Sequence, residues 1–127
     1  MYEGKRVDLL PFAAAQRERL VLKPNDDYGG AGIVLGWTVD AVTWERALGA
    51  ALEAPFVLQE RIMLPSETFP AVVDGQLIYA DRIVDTAPFA FDGRYVDGYL
   101  SRISTGALVN VTAGTGSTVP TFIVEPR

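Results

Sequence analysis

A lysine at the end of an apolar run, followed at once by a glycine-rich loop, is where this sequence could begin to do chemistry. Lys23 closes Leu20-Val21-Leu22-Lys23, and it is one of only two lysines, beside nine arginines. An ammonium on an apolar strand must reach water, a carboxylate or an anion, because burying it unpaired is costly. It can snorkel to solvent, or it can serve as a point charge for phosphate oxygens. The loop that follows, Tyr28-Gly29-Gly30-Ala31-Gly32, holds three glycines. Glycine gives backbone at positive φ and lets amide N–H groups approach an anion closely, and it also makes ordinary hairpin turns. The loop is neither a Walker loop, which needs Gly-Lys-Ser/Thr, nor a Rossmann turn, because a strand and not a helix follows. Gln59-Glu60-Arg61-Ile62 is the third feature, a polar trio ending an apolar strand. It is either the strand leaving the core or a linker whose free backbone groups pair with a base edge. Arg102, in Tyr99-Leu100-Ser101-Arg102-Ile103, is the fourth. It reads as a surface arginine on an alternating strand or as a clamp on developing negative charge.

Other chemistry is excluded by composition. The chain has no cysteine and no histidine, which removes disulfides, thiolate zinc sites and the commonest general base. No metal-ligating cluster is read from the sequence. With 49% hydrophobic and 21% charged residues the chain is globular, not disordered. A net charge of −5 argues against nucleic acid as a partner, whose binding needs phosphates neutralised. It leaves room for a locally cationic pocket. No apolar run has the roughly 18–20 residues of a membrane span, and no signal-peptide core follows the N-terminus, so a cytoplasmic address is expected.

These residues need elements to hold them. A chain of 127 residues suits one domain with a core, so residues 1–127 are expected to form a single unit. Pro11 to Leu20 reads as a short helix with Pro11 at its first position and Phe12, Ala15 and Arg19 on one side. Leu20–Lys23 and Ile33–Leu35 form an antiparallel hairpin through the glycine loop. Asp40 caps the clearest helix, in which Trp44, Ala47, Leu48, Ala51 and Leu52 make one apolar stripe that Ala54-Pro55 ends. Strands are then expected over Phe56–Ile62, Phe69–Val73, Gln76–Val84, Tyr99–Ile103, Ala107–Val111 and Val119–Glu125. Asp74-Gly75 makes a hairpin turn, Ala87-Pro88 and Asp92-Gly93 lie in a loop, and Thr112–Thr118 is a second glycine-rich loop. The fold class is α+β: a mainly antiparallel sheet with one or two helices packed on one face.

In order, these features resemble a known family. Leu20 to Ile33 looks like the lysine strand and glycine-rich lid of ATP-grasp enzymes, and Gln59-Glu60-Arg61-Ile62 is similar to their adenine-binding hinge. Leu100-Ser101-Arg102-Ile103, followed by Asn110-Val111-Thr112-Ala113-Gly114-Thr115-Gly116, resembles the C-terminal segment of the circularly permuted, glutathionylspermidine-synthase-like group. The resemblance runs from about residue 7 to 125. It implies an ATP-dependent carboxylate–amine (or thiol) ligase working through an acyl phosphate. Lys23 would neutralise phosphate charge, and Tyr28, Gly29, Gly30 and Gly32 would form the lid. Gln59, Glu60, Arg61 and Ile62 would read adenine, with a carboxylate of the hinge available to ribose. Arg102 would stabilise the transferred phosphoryl group. In that group the Mg²⁺ ligands and a further nucleotide-binding lysine lie upstream of the lysine strand. They are expected outside this chain, in a missing ligase half, or the cleft face is covered by a second copy. Ala31 stands where many relatives carry a basic residue, which implies weak nucleotide binding. A non-catalytic remnant serving as an interaction module is the rival expectation.

A lid with no ligand sits at the low-stability end of a domain. Amide exchange is therefore expected to be faster across Asp26–Gly32 than at Val57 and Leu58. Equal protection of the two segments would mark a rigid hairpin turn instead.

Overall fold

The structure is a computed structural model that describes residues 2–112, 114 and 116–125. Where the sequence suggests one unit, the chain divides into two compact ones, Met1–Ile62 and Met63–Arg127.

The first unit is a three-stranded antiparallel sheet with two helices. Its elements are α1 (Leu9–Ala15), β1 (Leu20–Pro24), β2 (Val34–Leu35), α2 (Ala41–Ala50) and β3 (Phe56–Glu60), with sheet order β2-β1-β3. Short 3₁₀ turns at Arg17–Arg19 and Gly36–Thr38 lead into β1 and out of β2. The expected hairpin is present, with Val21 opposite Leu35 and Leu22 opposite Val34. Helix α2 begins where Asp40 accepts a hydrogen bond from the Thr43 backbone N–H at 2.7 Å, which satisfies one of the helix's orphan donors. Its stripe points inward: Trp44 and Leu48 are buried, and Ala47 and Ala51 pack against them. Leu52 departs from the expected stripe, because the helix stops at Ala50 and leaves Leu52 at 65% exposure in the turns beyond.

The first helix also corrects the sequence reading. It starts two residues before Pro11 and breaks at Gln16, whose N–H bonds back to the Phe12 carbonyl. Ala13 is its buried residue and Ala15 is exposed. The reason is tertiary: the Trp44 indole N–H donates to the Ala13 carbonyl at 2.9 Å and fixes which side of α1 faces the core. Arg17 donates to the carbonyls of Gly36 and Val39, tying the two 3₁₀ turns together. A Cβ on Gly36 would stand 1.9 Å from the Arg17 carbonyl oxygen, so no other residue fits there.

The second unit is a four-stranded antiparallel meander: β4 (Ser66–Val73), β5 (Gln76–Phe91), β6 (Tyr95–Ser104) and β7 (Gly116–Val119). Asp74 and Gly75 both have positive φ, 51° and 76°, as a two-residue I′ turn requires. Ala87-Pro88, expected in a loop, lies inside β5, with Pro88 opposite Tyr99. Val84 N–H bonds to the Pro65 carbonyl, so the even positions of β5 face β4, and at Pro88 β4 has already ended, so the missing N–H costs no ladder bond. The register with β6 shifts between Pro88 and Ala90. Ala107–Val111 is not a strand, and neither is the stretch beyond Val119. Instead Gly116–Val119, with Gly116–Thr118 expected within the second glycine loop and Val119 at the start of a strand, pairs with Ser101–Ser104. The turn 105–110 winds around the buried Ser104, whose hydroxyl meets the Gly106 N–H at 3.0 Å. Of that loop, Ala113 and Thr115 lie outside the described residues. All buried apolar side chains belong to the first unit; in the second, Ser101, Ser104 and Asn110 are the buried ones among the described residues. No helix among the described residues is long and apolar enough to cross a membrane.

Removing the indole should leave a large cavity and an unpaired Ala13 carbonyl, so Trp44→Ala is expected to cost about 3–5 kcal/mol in urea denaturation. Gly36→Ala, which must displace backbone, is expected to cost about 2–3 kcal/mol. Hydrogen bonds from Thr43, side chain first and backbone second, hold the Asp40 carboxyl below its ordinary value. Its contribution is therefore full above the unfolded carboxyl value of about 3.9 and fades as pH falls through the lower folded value. The protein is expected to be more stable than Asp40→Asn at pH 7, with the gap closing below about pH 4. A gap that stays constant into acid would show that the charge adds nothing to the cap.

Candidate functional site

Register decides which side chains share a face. In an antiparallel ladder cross-strand partners point the same way and successive residues point to opposite faces. Leu20, Leu22, Val34, Phe56 and Leu58 form or pack against the buried cluster with Trp44 and Leu48, so theirs is the helix-covered face. Lys23 stands opposite Val57, and Val21 stands opposite both Leu35 and Gln59. These five therefore share the other face. Lys23 and Gln59, far apart in sequence, come to the same side of the sheet.

Lys23 is partly buried on that face and makes no ion pair among the described residues. The lid leaves from its end of β1 and returns as β2. Gly29, Gly30 and Gly32 all have positive φ, 68°, 80° and 69°. Two consecutive turns close through Ala31 N–H to the Tyr28 carbonyl and Ile33 N–H to the Gly30 carbonyl. Gly32 has a second constraint, since a Cβ there would stand 3.0 Å from Pro24 Cγ. Tyr28 is 83% exposed, so its ring covers nothing within the unit.

The hinge is an open edge. Among the described residues β3 pairs with β1 alone. Arg61 N–H bonds to the Arg19 carbonyl at 2.7 Å and Asn25 N–H to the Pro55 carbonyl at 3.0 Å. By alternation, Val57, Gln59 and Arg61 turn their backbone groups toward β1, and Leu58 and Glu60 turn theirs outward. Glu60 thus presents an N–H and a C=O that no strand uses, as reading a base edge requires and as any edge strand provides. Its carboxylate is already engaged. It accepts from Arg19 Nη2 at 3.1 Å and from the Tyr2 hydroxyl at 3.0 Å, and Tyr2 packs on Phe12. Partial burial first, and the Glu60 hydrogen bond second, hold the Tyr2 phenol above its ordinary value. Ile62 is 71% exposed.

Sequence reading missed one contact. The Arg61 guanidinium lies over the Trp37 ring, 4.0 Å from its centroid. Spacing gave no hint of it, because Trp37 follows β2 and Arg61 follows β3. The register supplies the juxtaposition, with both residues next to the row of Arg19.

Arg102 belongs to the second unit. Its Nε and Nη2 donate to Asp85 Oδ2 at 2.8 and 2.5 Å, and the two residues are cross-strand partners. This pairing offsets the charge that a phosphoryl clamp would use. A nearby hollow of about 160 Å³ is lined by Arg82, Ser104, Thr105 and Ser117 with Gly114 and Gly116. That is below the roughly 300 Å³ at which small-molecule pockets begin. No group of three or more acidic side chains that could hold a metal ion is found among the described residues. Comparison with family models, with curated proteins and with solved structures finds no match to this chain.

Proposed function

We propose that this chain is the nucleotide-gripping part of a cytoplasmic, ATP-dependent carboxylate–amine (or thiol) ligase of the circularly permuted ATP-grasp type. The observation that carries the reading is the shared face. Lys23 and Gln59 stand on the side of β2-β1-β3 away from the helices, the glycine loop joins two of these strands, and the third offers a free backbone edge. On this reading Lys23 binds phosphate oxygens as an unpaired cation, and the loop amides close over them. Val21 and Leu35 give the base an apolar floor, and Glu60 gives its edge a donor and an acceptor. Arg102 is held by Asp85, so it would meet a phosphoryl group only as half of an ion pair. The described residues do not fit a magnesium site. Its ligands would come from another polypeptide segment. That segment, or a second copy of the chain, is the partner the reading requires.

The second reading is an interaction module that has kept the sheet and lost the reaction. It is favoured by the far end of the β5–β6 hairpin, which extends past both neighbouring strands. That end exposes Phe89, Phe91, Tyr95 and Tyr99 by 46–60%.

With no metal site among the described residues, ATP is expected to bind with a dissociation constant in the high micromolar to millimolar range, about −4 to −6 kcal/mol. Amide shifts should appear at Lys23, the 29–32 loop and Gln59. Lys23→Ala should weaken binding about ten-fold and change stability by less than about 0.5 kcal/mol, since its ammonium has no partner to lose. If millimolar ATP moves no resonance at Lys23 or Gln59, the nucleotide reading fails and the interaction module takes its place.

A further inference from the structure

At the opposite end of the face that carries Lys23, the Arg61 guanidinium lies over the Trp37 ring. Trp37 and Arg61 are both partly buried, and the guanidinium sits 4.0 Å from the indole centroid. Arg61 has no carboxylate or carbonyl partner for its side chain among the described residues. An arginine that binds a phosphate or a peptide carboxylate offers the N–H fork edge-on. One held over an aromatic ring is weakly hydrated, and its planar guanidinium can also pack against another flat group. The surroundings favour a flat, apolar group with a polar edge. One row along are Val21, Leu35 and Gln59, and the residue before Arg61 is Glu60 with its outward N–H and C=O. Val57, the partner of Lys23, lies four residues from Arg61 along the strand, about 13 Å at the rise of an extended chain. That separation suits a ligand with a planar base at one end and negative charge at the other.

We propose that the Trp37–Arg61 stack is the wall against which the base of a purine nucleoside triphosphate packs, with Arg61 as the layer in contact. This rests on the nucleotide reading and adds two side chains that no backbone-only hinge requires. Trp37 also makes the site visible. It is one of two tryptophans, and the other, Trp44, is fully buried with its N–H bonded to Ala13.

The test measures binding of ATP, adenosine and inorganic triphosphate to the full chain and to Arg61→Ala, Arg61→Lys and Trp37→Ala, by amide shifts and tryptophan emission. Adenosine is expected to quench the emission of the unaltered protein. Arg61→Ala and Trp37→Ala should each weaken ATP and adenosine about ten-fold, the scale of one base-stacking contact, and leave triphosphate unchanged. Arg61→Lys keeps the charge and loses the plane, so it should behave like Arg61→Ala. If triphosphate weakens while adenosine does not, Arg61 is a phosphate contact and the proposal is overturned. If Lys23→Ala weakens ATP while all three variants bind it normally, the wall is wrong and the nucleotide reading stands. If no ligand binds any of these proteins, both fall together.

Discussion

One hydrogen bond organises the first unit. The Trp44 indole N–H reaches the Ala13 carbonyl from the fully buried centre of α2. An indole pays a desolvation cost when buried unless its single donor is used. Satisfying it from α1 sets the rotation of that helix, selects Ala13 as the buried residue and pins both helices to one side of the sheet. Leu20, Leu22 and Leu48 then have a surface to close against. The core is small, with five buried apolar residues among the described ones, so a single large side chain has an unusual share of it.

Because the helices claim one face of β2-β1-β3, the other is left for polar work. Alternation does the sorting. Leu20 and Leu22 go inward, and Val21 and Lys23 must then go outward. The lysine stands on the open face because its neighbours are needed in the core. The glycine loop is tied to the same end by connectivity. The hinge gains its free edge because β3 is the last strand of its sheet.

The second unit follows a different economy. Among its described residues it buries two serines and an asparagine and no apolar side chain. Apolar residues are present on both sides of the long hairpin, including Phe91 stacked on Tyr95 with ring centroids 5.4 Å apart. A two-stranded ribbon is marginal in water without a surface to lie on, and exposed aromatic clusters mark places where proteins meet partners.

Much of this was legible in the sequence, where a local pattern has one physical solution. Asp40 before an apolar stripe could only be a cap. Asp74-Gly75 between apolar runs could only be a tight turn. The Leu20–Leu35 hairpin follows from its glycines, and the α+β class with its antiparallel sheet follows from the strand count. Patterns with two solutions were settled by partners distant in the chain. Pro88 could sit within β5 because its backbone faces the side where β4 has already ended, so no ladder bond needed its missing donor. Gly116–Val119 became a strand because Ser101–Ser104 had an unpaired edge, while Ala107–Val111, apolar enough to be a strand, was drawn into the turn around Ser104. Lys23 and Arg61 were visible as residue types, but their placement on one face is a property of register. The stack of Arg61 on Trp37 exists only because β2 and β3 flank the same strand. Sequence by itself fixed the kinds of groups this protein has and the local turns that join its strands. Tertiary structure alone decided which of them face each other, because facing is set by cross-strand pairing, and pairing by which apolar side chains the core accepts.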